Sequence, residues 1–235
     1  MLKIAIDAGH GLKTAGKRCL KKIDSKETRE WYLNDRIADK LVKLLAYYDC
    51  SVLRVDDTTG ATDVSLSDRC KKANSWGADI YISIHHNAGV GGKSGGGTEV
   101  YYYSSNDLRK RQAYKLYEEI VESTGLKGNR STPVKKYGFY VLKNTNMAAF
   151  LIENGFMDST TDTPIILTDA HAEKTAHGII DFLIDVYALK KETVTGNTGE
   201  NLYKVQCGAF SSKANAENLK KKLKDAGFEA VVVND

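Results

Sequence analysis

Residues 3–11 read KIAIDAGHG. Lys3, Ile4, Ala5 and Ile6 read as a core strand that runs to Asp7. On leaving it, the chain at once sets Asp7 and His10 among Ala8, Gly9 and Gly11. The glycines let the backbone turn sharply and leave the imidazole unobstructed. A histidine in that position matters if other ligand-type side chains converge on it.

Outward from this stretch, strand-like and helix-like segments alternate as far as residue 189. Residues 51–55, 79–85, 98–103, 139–142 and 148–153 read as further strands. Ile80, Ile82 and Ile84 give the third strand of the chain a buried character. Residues 31–48 read as a helix with Leu33, Ile37, Leu41, Leu44, Leu45 and Tyr48 on one face. Helices are also expected over 65–75, capped by Ser65 or Ser67, over 107–123 and over 170–187. The alternation predicts an α/β fold: a mostly parallel twisted sheet with helices on both faces. Residues 1–189 form this domain. Residues 190–201 (KKETVTGNTGEN) are polar and rich in Gly and Thr, and read as a linker. Residues 202–235 then spell one small β-α-β unit, with strands at 202–207 and 228–233 around a helix over 211–225. So short a unit hardly buries enough surface to stand alone.

Composition narrows the function. Of the 235 residues, 42% are hydrophobic and 27% charged, an ordinary globular profile, with net charge +4. No basic stripe with interleaved aromatics appears, which argues against a nucleic-acid partner. No apolar run reaches the roughly 18 residues of a membrane helix. Asp7 interrupts the first apolar run and no cleavage site follows, so cytoplasmic synthesis without a signal peptide, with later release to the wall, is expected. Cys19, Cys50, Cys70 and Cys207 lack metal-site spacing and are expected as structural thiols.

Three ligand-type residues end strands on their carboxyl side: His10, His85 and Glu153. Ligands of open α/β sheets bind at those ends. Two imidazoles and one carboxylate are a usual protein ligand set for an open catalytic zinc. Glu27 and Glu30 both stand at the start of the helix over 31–48, where any acid complements the helix N-terminus; either can supply the carboxylate. Glu153, with Ile152 and Phe156 near it in sequence, is then free for proton transfer.

Four blocks, IAIDAGHG (4–11), ETREWYLN (27–34), VSLSDRCKKANSWGADIYISIHHNA (64–88) and MAAFLIENGF (147–156), resemble the zinc-dependent N-acetylmuramoyl-L-alanine amidases of the type-3 class, found in phage endolysins and bacterial autolysins. They span essentially all of residues 1–187, in order. The resemblance implies zinc on His10, Glu30 and His85, with Glu30 preferred to Glu27 because Asn34 follows it by four positions. It implies Glu153 as general base and then general acid, and Asn87 as a substrate-binding residue that shapes the site. His86 is expected as a pocket or surface residue, and His171 and His177 as helix-surface residues. The implied reaction is hydrolysis of the amide joining the lactyl group of N-acetylmuramic acid to L-alanine of the stem peptide, with peptidoglycan as the partner.

Alanines stand where the family often has proline, at Ala8 and in MAAFLIE, which alters turn stiffness only. The segment between Gly11 and Glu27 is basic (Lys13, Lys17, Arg18, Lys21, Lys22, Lys26) and reads as a solvated loop. Residues 89–97 and Tyr101, Tyr102 and Tyr103 are candidates to border the groove; for the tyrosines, alternate in-and-out strand packing is the preferred reading. Residues 202–233 resemble the first half of a sporulation-related (SPOR) peptidoglycan-binding repeat. Two rival readings share these residues: a zinc peptidase cutting within the stem peptide, and a wall-binding protein with an inactive site.

Overall fold

The computed structural model describes residues 1–192, 206–228 and 230–233. It divides into two compact units, Met1–Glu192 and Thr193–Asp235.

The first unit is built on a six-stranded sheet: β1 (Leu2–Ala8), β2 (Cys50–Arg54), β3 (Ile80–Asn87), β4 (Thr98–Tyr102), β5 (Val134–Lys136) and β6 (Ala148–Phe156), in the order β2-β1-β3-β6-β4-β5. Every pairing is parallel except β4 with β6. Helices α1 (Glu30–Leu45), α3 (Asp107–Thr124) and α6 (Asp169–Tyr187) cover one face, and α2 (Leu66–Trp76) and α4 (Tyr140–Lys143) the other. The short α5 (Thr163–Ile166) leads into α6.

Strand alternation sorts the core between these faces. Ile4, Ile6, Ile80, Ile82, Ile84, Phe150 and Ile152 point to α1, α3 and α6. Ala5, Tyr81, Tyr101, Ala149 and Leu151 point to α2 and α4. Caps behave as local chemistry dictates: Ser65 accepts from Asp68 N at the start of α2, and a left-handed Gly77 closes it. From β1 the chain crosses by α1 to β2 on one side, and by α2 returns to β3 on the other. This reversal opens a crevice at the carboxyl ends of β1 and β3.

Two strand assignments in the first unit depart from expectation. Where a strand over 139–142 is expected, Tyr140–Lys143 form helix α4. Val141 and Leu142 are consecutive and both buried, while Tyr140 and Lys143 are exposed. That is a helical spacing, and the amides of Leu142 and Lys143 both bond to the Phe139 carbonyl, each at 3.1 Å. A four-residue apolar run does not distinguish the two states by periodicity. The sixth strand is instead β5, whose sequence VKK has one apolar residue and is held by pairing Val134 with Val100. Tyr101 and Tyr102 do alternate between the two core faces, and Tyr103 is exposed.

The first unit extends through Glu192, because Asp49 N bonds Lys190 O and Glu192 N bonds Tyr47 O, both at 2.8 Å. The rest of the expected linker, 193–201, lies outside the described residues, as do 202–205 of the next expected strand. In the second unit, α7 (Lys213–Asp225) occupies the expected helix. Residues 228 and 230–233 carry no strand among the described residues. Ala216, Leu219 and Leu223 form a half-buried stripe on α7, and none of its residues is fully buried. Among the described residues, no helix is long and apolar enough to cross a membrane.

Candidate metal centre

The loop after β1 is held from beneath by Arg69 of α2. Asp7 is buried and accepts hydrogen bonds from Arg69 Nη1, from Tyr81 Oη at 2.9 Å and from Ser83 Oγ at 2.8 Å. Burial alone would raise the Asp7 carboxyl; the Arg69 guanidinium, His85 and these hydrogen bonds outweigh it and hold the carboxyl below its usual range. Arg69 also donates to the Ala8 carbonyl at 2.8 Å and the His10 carbonyl at 3.0 Å. Asn34 Nδ2 on α1 takes the Gly9 carbonyl between them at 3.0 Å. His10 is thereby kept at φ 68°, a left-handed conformation that side chains rarely adopt and that surrounding contacts must impose.

Gly9 has a second reason to be glycine. A Cβ there would lie 2.0 Å from Cε1 of His85, so only a bare backbone lets that ring lie across the loop. Gly9 N bonds Ile84 O at 3.0 Å, which fastens the loop to β3.

Onto this support converge His10, Glu30 and His85. Glu30 is the first residue of α1, fixed through its amide to Lys17 O at 3.0 Å. Its Oε1 lies 3.3 Å from His10 Nε2 and 3.1 Å from His85 Nδ1. One ligand atom from each of the three falls within 4.8 Å of the others. Among the described residues Glu30 Oε2 is buried without a hydrogen-bond partner, and Lys17 Nζ stands 3.7 Å from it. Burial would raise the Glu30 carboxyl, but His10 and His85 reverse this and hold it well below the carboxylate range. Burial lowers the His85 imidazole, and Glu30 more than compensates, leaving it raised. Two nitrogens and a carboxylate with a spare buried oxygen are a donor set that fits a zinc-like divalent cation.

Glu27 stands outside this group. Its backbone is left-handed, at φ 49°, and its carboxylate pairs with Arg18 Nε at 3.2 Å. Lys13, Lys21, Lys22 and Lys26 are exposed, and of the basic segment Lys17 alone reaches the cluster.

Glu153 lies directly across from His85 in the β3–β6 register, and Glu99 directly across from Glu153 in β6–β4. The three side chains therefore stand in a row on the α2 and α4 face. Glu153 Oε2 is buried with no hydrogen-bond partner among the described residues, and burial pushes its carboxyl up to about 8, with Glu30 and Glu99 adding and His85 subtracting. A carboxyl group tuned near neutrality suits a proton carrier. Asn87, at the end of β3, donates through Nδ2 to Glu99 Oε2 at 2.9 Å. The 89–97 loop is pinned at the rim: Asp158 Oδ2 accepts from Gly89 N at 2.9 Å and Gly91 N at 2.7 Å, and Asp162 Oδ2 from Gly97 N at 2.7 Å.

His86 and His171 are not surface residues. Alternation turns His86 to the opposite side of the sheet from His85, where its Nδ1 meets Asn34 Oδ1 at 2.8 Å. His171 on α6 places Nε2 3.2 Å from the Asn154 carbonyl. Burial drives the His86 imidazole down to about 3, with His171 contributing, and the His171 imidazole to about 4. His177 is exposed, 3.6 Å from Glu173. Sequence reasoning also passed over Arg69 and Glu99. An arginine on an amphipathic helix and a glutamate in a strand look solvated in a local reading, and only the fold buries them.

The family model described as N-acetylmuramoyl-L-alanine amidase matches residues 4–185, and that of the SPOR domain matches residues 199–235. The chain is 35% identical over 237 residues to N-acetylmuramoyl-L-alanine amidase CwlM of Bacillus licheniformis, covering 99% of this chain and 85% of that protein. It is 33% identical over 236 residues to the sporulation-specific N-acetylmuramoyl-L-alanine amidase of Bacillus subtilis strain 168, with the same coverage. Among solved structures it resembles the catalytic domain of CwlV, the N-acetylmuramoyl-L-alanine amidase of Bacillus (Paenibacillus) polymyxa var. colistinus. That match has a TM-score of 0.71 and 26% identity, over 81% of this chain and all of that one.

Proposed function

This chain belongs to the N-acetylmuramoyl-L-alanine amidase family and is a hydrolase of the cell wall; from that premise we propose that His10, Glu30 and His85 hold a zinc ion and that Glu153 carries the proton of the reaction. The bond cut joins the lactyl carbonyl of N-acetylmuramic acid to the nitrogen of L-alanine. One observation carries the assignment of roles: three ligand-type groups within 4.8 Å of one another, beside a carboxyl whose Oε2 is buried and unpartnered among the described residues.

Zinc, when bound, polarises a carbonyl and makes a water acidic enough to attack it at neutral pH. The protein's own groups do the rest. Glu153 Oε2 takes a proton from the attacking water. The same carboxyl then delivers that proton to the departing alanine nitrogen, so the peptide leaves as an amine. Arg69 and Asn34 hold the carbonyls of Ala8, Gly9 and His10, which keeps the His10 ring in place as charge shifts around it. Asn87 is assigned to the substrate groove, where its link to Glu99 fixes its side chain. The SPOR-like segment is assigned to wall targeting.

The test is mass spectrometry of digested muropeptides, with metal analysis of the protein. The expected result is a new L-alanine amine, about one zinc per chain, and loss of cleavage with chelator or in Glu153→Ala. A new amine elsewhere in the stem identifies a peptidase instead. Cleavage that survives both chelator and Glu153→Ala overturns the assigned roles.

A further inference from the structure

Beyond Glu153, the row of side chains continues into a cationic pair that the reaction itself does not use. Glu99 is buried and accepts from Lys135 Nζ at 2.6 Å through Oε1, and from Tyr101 Oη at 2.7 Å and Asn87 Nδ2 at 2.9 Å through Oε2. Arg130 Nε stands 3.6 Å from the same Oε1, and its guanidinium carbon lies 4.4 Å from the centre of the Phe156 ring. One anion thus anchors two cations, each about a third exposed, and their sum is one positive charge. Arg130 meets Glu99 only through Nε, so both Nη atoms of its fork are uncommitted among the described residues. A planar fork held by an aromatic face and a carboxylate is a preorganised carboxylate receptor.

Its placement says which carboxylate. Neighbouring strands lie about 4.8 Å apart, so Glu99 is roughly 10 Å from His85 across β6. Glu153 stands between them and hands its proton to the departing nitrogen. A departing peptide that runs from Glu153 across β6 toward β4 and β5 passes over Glu99. A residue advances an extended chain by about 3.5 Å, so a carboxylate on the stem residue after L-alanine comes within reach of Arg130 and Lys135.

We infer that Arg130 and Lys135 form an anion subsite for a free carboxylate on the second residue of the leaving stem peptide. The subsite makes the enzyme discriminate walls in which that carboxylate is free from walls in which it is amidated. This rests on the amidase reading and on the role of Glu153.

The experiment compares two soluble muropeptides that differ only in carboxylate against carboxamide at that residue, using the full chain loaded with zinc. The wild type is expected to favour the carboxylate about tenfold in kcat/KM, through KM, as one charge-assisted contact gives. In Arg130→Gln and Lys135→Gln the ratio between the two substrates falls to within about twofold of one. Arg130→Lys, which keeps the charge and loses the fork, retains part of the preference. Cleavage of both substrates by the wild type at equal kcat/KM overturns the subsite and leaves the amidase reading standing. Variants that slow both substrates equally, with the ratio intact, also overturn it. Failure of the wild type to cleave either substrate removes the amidase reading, and the subsite with it.

Discussion

His85 and His86 are consecutive, yet the sheet sends them to opposite faces. On the α2 side, His85 shares Glu30 with His10, and Glu153 stands in the next strand. On the α1 and α6 side, His86 is shut in against Asn34, and His171 lies behind it. One face gathers charge around a carboxylate and raises an imidazole. The other excludes water and keeps two imidazoles neutral. The lesson is that neither histidine has its chemistry from its own identity; burial and the sign of its neighbours decide it. Asn34 links the two faces, holding Gly9 with Nδ2 and His86 with Oδ1.

The division is sharpest in what each face loses on substitution. His85→Ala is expected to reduce turnover by at least about 10³-fold and to abolish stoichiometric zinc, read by muropeptide kinetics and metal analysis. Glu153→Gln should lower kcat by about 10²–10⁴-fold while zinc stays bound, which separates the proton carrier from the ligands. Arg69→Met leaves Asp7 as a buried charge without its partner and should cost about 3–5 kcal/mol in denaturant unfolding. An unfolding midpoint unchanged from wild type would refute the bracing role given to that pair. Gly9→Ala pushes a methyl into the His85 ring and should weaken zinc by about 10–100-fold in chelator competition.

The smallest effects belong to the far face. His86→Leu should destabilise by about 2 kcal/mol, since Asn34 Oδ1 loses its partner. It should also flatten the acid limb of stability. The folded values of His86 and His171, about 3 and about 4, lie below the ordinary imidazole value of 6.5. Both groups are neutral in either state above pH 6.5, so stability is greatest there. It falls as pH drops from 6.5 toward 4, because the unfolded chain takes up protons first, by about 2 kcal/mol for each group at pH 5. His85 is shifted upward and acts in the opposite sense, so the comparison to make is wild type against His86→Leu across pH 5–7. Identical slopes in the two proteins would remove the claim that His86 is buried neutral.

Much of the frame was legible from periodicity. Ile80, Ile82 and Ile84 mark β3 as central, and the helix stripe beginning at Leu33 marks α1, because these patterns report burial that each segment carries along its own length. Glycines around His10 announced a sharp turn, and strand ends announced where ligand-type residues would collect. The reading failed where length was too short for a period to register. In 139–142 four residues fit a strand or a helix equally, and in 134–136 one apolar residue gave no pattern at all.

By itself, then, the sequence determined the α/β alternation, the sheet edge at which function would lie, and a short roster of residues able to act there. Those follow from the spacing of apolar side chains and from backbone preferences, which are local properties. Family resemblance already favoured Glu30 over Glu27, and the structure brings Glu30 to His10 and His85. Only the tertiary structure decided that Gly9 is bare because a ring from β3 lies over it, that Arg69 braces Asp7, and that His86 is sealed from the site one residue away. Each of those depends on atoms brought together from distant parts of the chain. Interactions of that kind act through distance and dielectric, neither of which exists until the sheet has formed.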